Sequence, residues 1–179
     1  DGYQWPANAQ VENGEHAIAY MVAALRQRDV SVVPVVGYDR WENPTYRMGI
    51  KGIPPRSDGH YCLRLDSSAM EDEAEPEHFQ SIVSDIVDEL DLVPSQCSVL
   101  IDFGDMSLAA MSVEMLVAKC LSMIQQLSTY RFARYIIAGC SLPRSIDLPS
   151  ARAIASAYCC GMKCFGGKRF AQTFQDSEG

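Results

Sequence analysis

Positive charge and histidine are scarce in this chain of 179 residues, which has 15 lysines and arginines against 23 aspartates and glutamates and only three histidines. The net charge of −8 repels phosphate backbones and anionic lipid head groups, which argues against nucleic acid and membrane surfaces as partners. The sequence also lacks an apolar run of the ~20 residues that a membrane span needs, and its first residues lack the layout of a secretory signal. With 47% hydrophobic residues, the composition is that of a globular protein, and we expect a cytoplasmic one.

Familiar catalytic and metal-binding motifs are missing as well. The seven cysteines are an odd number scattered through apolar segments, which fits reduced, buried thiols better than a disulfide framework. Cys159, Cys160 and Cys164 have no second pair of ligands at zinc spacing. The histidines are far apart and Gly-x-Ser-x-Gly does not occur, so no Ser-His-Asp triad is predicted. Because these motifs are missing, the sequence predicts no resident metal and no cofactor.

Short β-branched runs alternate with helical periods from residue 31 onward. The runs predict four strands, at 31–38, 60–66, 98–103 and 134–140, and Pro34 makes the first the least regular because it cannot donate a ladder hydrogen bond. Asn43 and Pro44 predict the start of a short helix that ends near Gly52. The acidic run 71–77 is interpreted as a solvated loop.

Longer helices are predicted from apolar residues that recur at helical spacing. One precedes the first strand, at 18–25, one follows Pro76, and one at 151–158 begins after Ser150. Another, capped by Ser107, has a wide apolar face made of Val113, Leu116, Val117, Cys120, Leu121, Ile124 and Leu127.

This order of elements predicts an α/β protein with a parallel sheet of strand-helix units, because each connection is long enough for a right-handed crossover. A full barrel of such units usually needs roughly 250 residues, so the chain corresponds to part of a TIM-like barrel, and the alternative is a small open doubly wound sheet. We expect one α/β domain over 1–158 and a C-terminal tail over 159–179. We expect such a domain to be a piece of a larger protein or half of an assembly.

Candidate site residues follow the predicted strands, where ligand-binding groups gather in parallel sheets. Asp66, Asp102 and Asp105 are the candidate catalytic acids or bases, and their oxygens are also potential ligands of Mg²⁺ or Mn²⁺. The candidate groups for binding an anionic substrate are Arg64, Ser141 and Arg144. The competing interpretation is that Asp and Ser follow strands because they cap helices and shape turns.

Arg64 and Asp102 are the two charged residues that strand alternation places inside the sheet layers. Leu63 and Leu65 share one face of their strand, so Arg64 points to the other face. In the next strand, Asp102 points to the face opposite the one that carries Ile101. A buried charge must be paired. An ion pair that holds neighbouring strands in register and a substrate site built from the same atoms are both open.

Four segments resemble the phage-type beta-protein family, over about residues 15–155. They are Val33-Pro34-Val35-Val36, Leu63-Arg64-Leu65, Leu100-Ile101-Asp102-Phe103-Gly104-Asp105 and Ile136-Ile137-Ala138-Gly139-Cys140-Ser141-Leu142-Pro143. The resemblance implies a barrel-like α/β domain and an intracellular setting in phage or mobile-element biology, and it supplies no catalytic residues.

Two functions remain open at this point. The first is a binding or interaction module whose open sheet edges are covered by another protein chain or by a homo-oligomer. The second is a metal-dependent hydrolase or lyase of TIM-barrel type that uses the three aspartates and acts on an anionic substrate. The sequence does not decide whether the protein is an enzyme, because this architecture hosts many chemistries.

Overall fold

The computed structural model describes residues 5–53, 59–105 and 112–140. The strands are β1 (Val35–Gly37), β2 (Cys62–Leu65), β3 (Ser98–Asp105) and β4 (Arg134–Cys140). The helices are α1 (Ala17–Arg26), α2 (Pro44–Lys51), α3 (Ser67–Asp72), α4 (Pro76–Glu89) and α5 (Val113–Gln126). The predicted helix at 151–158 and the predicted tail at 159–179 lie outside the described residues.

The four strands form an open, all-parallel sheet in the order β1-β2-β3-β4. The prediction of an α/β protein with a parallel sheet is therefore confirmed. The order is sequential, and among these four strands it does not reverse as it would at the switch point of a doubly wound sheet. β1 is shorter than the predicted strand and begins immediately after Pro34.

One face of the sheet and the helices form the core. Val36, Leu63, Leu65, Val99 and Ile101 are at most 2% exposed, and they share one cluster with apolar residues of all five helices. These residues alternate along their strands with Gly37, Arg64, Leu100 and Asp102, which lie on the opposite face. The predicted separation of the leucines from Arg64 is confirmed.

Helices α2 and α4 form as their sequences predict. The Asn43 side chain accepts hydrogen bonds from the backbone N–H groups of Thr45 and Tyr46 at 3.0 and 3.2 Å, and the helix ends at Gly52. Helix α4 begins at Pro76. Of the six residues on its predicted apolar face, Phe79, Ile82, Val83 and Ile86 are buried, and Val87 and Leu90 are partly buried against the core.

Helix α5 differs from its prediction in two respects. Its N-cap is Ser112, whose hydroxyl accepts a hydrogen bond from Met115 N at 3.3 Å, so the prediction of Ser107 as the cap is wrong. A cap must sit directly before the first helical turn, and Ser112 does. The predicted apolar face is also only partly buried: Leu116, Cys120 and Leu127 are buried and Ile124 packs against the core, whereas Val113, Val117 and Leu121 are exposed.

A helix that the sequence did not predict overlaps the start of the acidic run. Helix α3 ends at Asp72 within the run, and Ala69 and Met70 are its buried residues. A helix of six residues is too short to show a recurring pattern of apolar residues in the sequence. This helix is stabilised by packing against the sheet. Glu73 is not simply solvated either, because Lys119 Nζ lies 3.3 Å from its carboxylate.

Candidate functional site

Three aspartates lie at the carboxyl ends of neighbouring parallel strands. Asp39 is in the short 3₁₀ turn that follows β1, Asp66 follows β2, and Asp102 lies near the end of β3. Two arginines accompany them, Arg40 in the same turn and Arg64 in β2. We call these five residues the strand-end cluster.

Arg64 and Asp102 form an ion pair across neighbouring strands. Arg64 Nε donates to Asp102 Oδ2 at 2.9 Å, and the two side chains are 10% and 22% exposed. The other oxygen, Asp102 Oδ1, accepts a hydrogen bond from Gly104 N at 2.9 Å. Gly104 has φ of +62°, a conformation that favours glycine. The ion pair that the sequence left open is therefore present, and both oxygens of Asp102 have donors.

The charge of Arg64 is stabilised by acids on three sides. Burial alone would lower its pKa, but the hydrogen bond to Asp102 and the negative charges of Asp102, Asp39 and Asp66 outweigh that effect, and the pKa is raised. Arg64 is thus permanently cationic. Because three carboxylates surround it, its positive charge is largely neutralised and attracts a further anion only weakly.

Asp66 is buried without a hydrogen-bond donor for one of its oxygens. The residue is 8% exposed and occupies the N-cap position of α3, but its side chain makes no capping hydrogen bond. Within the described residues, Asp66 Oδ1 has no hydrogen-bond partner. A buried carboxylate oxygen in this condition is costly and points to a role that the fold alone does not explain.

Asp39 lies near Asp66, because the register of β1 and β2 pairs Gly37 with Arg64, two residues before each aspartate. Burial raises the pKa of Asp39 and the charge of Asp66 raises it further, whereas Arg40 and Arg64 act in the opposite direction. Arg40 Nε lies 3.7 Å from Asp39 Oδ2, too far for a hydrogen bond. A Cβ atom at Gly37 would lie 2.7 Å from Asp39 Oδ1, so a larger residue at this position would displace the Asp39 carboxylate.

Two buried tyrosines support the turn that carries Asp39. The Tyr46 hydroxyl accepts a hydrogen bond from Gly37 N at 2.9 Å, and the Tyr38 hydroxyl donates to Asp72 Oδ2 at 3.0 Å. Burial raises the pKa of both phenols, and for Tyr38 the hydrogen bond and charge of Asp72 raise it further. Both tyrosines therefore remain neutral and position the turn.

The structure brings together three of the six predicted site residues, namely Arg64, Asp66 and Asp102. Asp105 belongs to β3 and its backbone pairs with Cys140 after an irregularity in the register, but its side chain is outside the described set. Ser141 and Arg144 also lie outside the described residues. Asp39 and Arg40 were visible as polar residues after the first strand, but only the fold shows that they join the cluster.

Two further features bear on the sequence predictions. Cys62, Cys97 and Cys120 are free and buried, as predicted, and burial raises the pKa of each thiol. The described residues include no group of three or more His, Cys, Asp or Glu side chains arranged to hold a metal ion, and the side chain of Asp105, the third predicted acid, is not among them. Within the same ranges, every helix is too short or too polar to cross a bilayer.

The fold and the strand-end cluster define an α/β protein with a parallel sheet and a polar carboxyl edge. Residues 1–156 match the family model described as Beta protein, and the chain therefore belongs to the Beta protein family. This family is functionally uncharacterised, so membership assigns no activity. Neither a curated protein nor a solved structure matches the chain.

Proposed function

We propose that this chain is a protein-interaction module and that a second copy of the chain binds along β4, in the phage or mobile-element setting that its family resemblance implies. The observation that carries the proposal is the exposure of Ile136 and Ile137, which are 45% and 60% exposed. These adjacent residues point to opposite faces of the strand. Both faces of β4 therefore present apolar side chains.

A parallel sheet is ordinarily covered on both faces, and its strands are apolar for that reason. β4 is a terminal strand of the four-stranded sheet, so one row of its backbone N–H and C=O groups has no strand partner among the described residues. Helix α5, which precedes it, adds an exposed apolar stripe at i, i+4 and i+8, formed by Val113, Val117 and Leu121. These features are typical of an edge that continues into further strand-helix units.

The strand number favours a second copy as the occupant. Within the described residues the sheet has four parallel strands in sequential order, and a closed barrel of strand-helix units has about eight. Since β1 and β4 are parallel edges, pairing β4 of each copy with β1 of the other closes a two-fold symmetric barrel. The partial TIM-like barrel expected from the sequence is, in this proposal, half of that assembly.

Molar mass in solution tests the proposal. Size-exclusion chromatography with light scattering is expected to give a dimer for the wild-type chain and a monomer for Ile137→Glu. The matched control is Met48→Glu, which changes an exposed apolar residue of α2 that is 73% exposed, and it is expected to stay dimeric. Circular dichroism confirms that each variant is folded. A wild-type monomer, or a folded dimer of Ile137→Glu, contradicts the proposal.

The alternative predicted from the sequence, a metal-dependent hydrolase or lyase with an anionic substrate, has less support. Asp102, one of its three predicted acids, already accepts a hydrogen bond at each carboxylate oxygen. Arg64 is paired with Asp102, and Arg40 lies beside Asp39. We therefore place the interaction module first.

A further inference from the structure

We propose that the strand-end cluster is a binding site for an organic cation with N–H groups, an alkylammonium or a guanidinium, whose nitrogen donates hydrogen bonds to Asp66 and Asp39. The site is separate from the β4 surface, and the inference does not depend on the proposed dimer. Its members come from the ends of three strands, which is the edge where parallel α/β proteins bind ligands.

Asp66 Oδ1 is a buried oxygen without a hydrogen-bond donor among the described residues, and Asp66 as a whole is 8% exposed. Burying a carboxylate oxygen without a donor costs free energy, and a native fold keeps such a group where a ligand completes it. The missing partner must be a donor, and an N–H group on a cation forms the stronger, charge-assisted hydrogen bond.

Asp102 is not the group that binds the cation, because both of its carboxylate oxygens already accept hydrogen bonds. Its Oδ2 accepts from Arg64 and its Oδ1 accepts from Gly104 N. Asp39 and Asp66 are different, since the nearest Arg40 nitrogen is 3.7 Å from Asp39 Oδ2 and Asp66 Oδ1 has no donor. A cation is therefore recognised by these two carboxylates, while the ion pair forms the rigid floor of the site.

The net charge of the strand-end cluster favours a cation over an anion. The cluster has three carboxylates, Asp39, Asp66 and Asp102, and two guanidinium groups, Arg40 and Arg64, so one negative charge is in excess. The mutual repulsion of Asp39 and Asp66 is seen in the raised pKa of Asp39, which burial and then the charge of Asp66 produce. A cation relieves this repulsion, whereas an anion adds to it.

A divalent metal fits these residues less well than an organic cation does. Mg²⁺ and Ca²⁺ need about six or more oxygen ligands in a defined geometry, usually with several carboxylates. The described residues supply no three-ligand group at this edge. Two carboxylate side chains are enough for an ammonium or guanidinium nitrogen, because each N–H group requires a single acceptor.

Thermal unfolding with chosen probes tests the inference. The full chain is melted with increasing butylammonium chloride, agmatine sulfate, sodium butyrate, sodium sulfate and sodium chloride. Binding to the native state raises Tm in a saturable way, so a saturable rise is expected with the two cations and not with butyrate or chloride. Sodium sulfate is expected to give only the non-saturating rise that its exclusion from the protein surface causes. Isothermal titration calorimetry then gives Kd for the better cation.

Two variants locate the site. Asp66→Asn is expected to weaken binding of the cation at least tenfold, whereas Asp85→Asn, the same change at an exposed position of α4, leaves Kd unchanged. Without a probe, the Tm of Asp66→Asn should equal or exceed that of the wild type, because an uncharged amide replaces a buried carboxylate. This measurement separates a ligand-binding role of Asp66 from a merely structural one, because a structural role would lower the Tm of Asp66→Asn even without a probe.

Several results would overturn the inference. They are an unchanged Tm with both cations, an equal rise in Asp66→Asn and the wild type, or a larger rise with butyrate than with butylammonium. A rise with magnesium or manganese chloride and none with the amines would assign a metal site instead.

Discussion

Arg64 on β2 donates a hydrogen bond from Nε to Asp102 Oδ2 on β3 at 2.9 Å, and the pair crosses the sheet diagonally. Arg64 is in register with Leu100, and Asp102 is two residues further along β3. Side chains at such diagonal positions are near neighbours on one face of a sheet. A slip of one residue would move one member to the other face, so the ion pair specifies the register of β2 and β3.

Removing both members of this pair should cost less than the sum of the costs of removing each one alone. We expect Asp102→Ala to lower the free energy of unfolding by about 2 to 3 kcal/mol, because it leaves a mostly buried guanidinium without its closest acceptor. The double variant Arg64→Met, Asp102→Ala should lose less than the sum of the two single losses, with a coupling of about 1 to 2 kcal/mol. Urea unfolding of the four proteins measures this coupling. Additive losses would show that the pair contributes no interaction energy.

The strand positions were predictable because parallel β-strands are continuous apolar runs, and three of the four runs match β2, β3 and β4 closely. The short first strand follows from Pro34, which has no N–H group. Helix α3 was not predictable, because six residues contain less than two turns and the helix depends on burying Ala69 and Met70. The wide apolar face of α5 was misleading, since three of its seven members are exposed.

For the candidate site, the sequence predicted only its place at the carboxyl edge of the sheet. Alternation placed Arg64 and Asp102 on one face, and the contact between them was one of two open interpretations. The sequence could not show that Asp39 lies close enough to Asp66 for its pKa to be raised, because that proximity depends on the register of β1 and β2. It also could not show that Asp66 Oδ1 lacks a donor in the described structure, which is a property of packing.

The hydrogen bond between Gly37 N and the Tyr46 hydroxyl should contribute measurably to stability. Tyr46 is fully buried, and replacing it with phenylalanine leaves the Gly37 N–H without its acceptor. We expect Tyr46→Phe to lower the free energy of unfolding by about 1 to 2 kcal/mol. Tyr20→Phe, at a tyrosine that is 48% exposed, is the control and should change stability little. Equal effects of the two variants would contradict this role of Tyr46.

The three buried thiols should be protected from alkylation in the native state. Burial raises the pKa of Cys62, Cys97 and Cys120, which lowers both their thiolate fraction and their access to reagent. Iodoacetamide treatment followed by peptide mass spectrometry should label them slowly in buffer and rapidly in urea. Rapid labelling of any of the three in buffer would show that its segment opens locally.

The carboxyl group of Asp39 should make stability fall as pH rises. Its raised pKa means that the native state binds the proton more tightly than the unfolded chain, so its contribution is greatest below the ordinary Asp pKa of about 3.9 and is lost as pH rises through the raised value.

Asp39→Asn removes this loss, since the amide has no charge to bury or to repel Asp66. The variant should therefore be more stable than the wild type at pH 7, and the difference should shrink as the pH is lowered toward 4. Asp85→Asn on α4 controls for the loss of one negative charge from a chain of net charge −8. Thermal melts between pH 4 and 7 measure both variants. A gain that is independent of pH, or one that Asp85→Asn reproduces, would contradict the assignment of the effect to the burial of Asp39 beside Asp66.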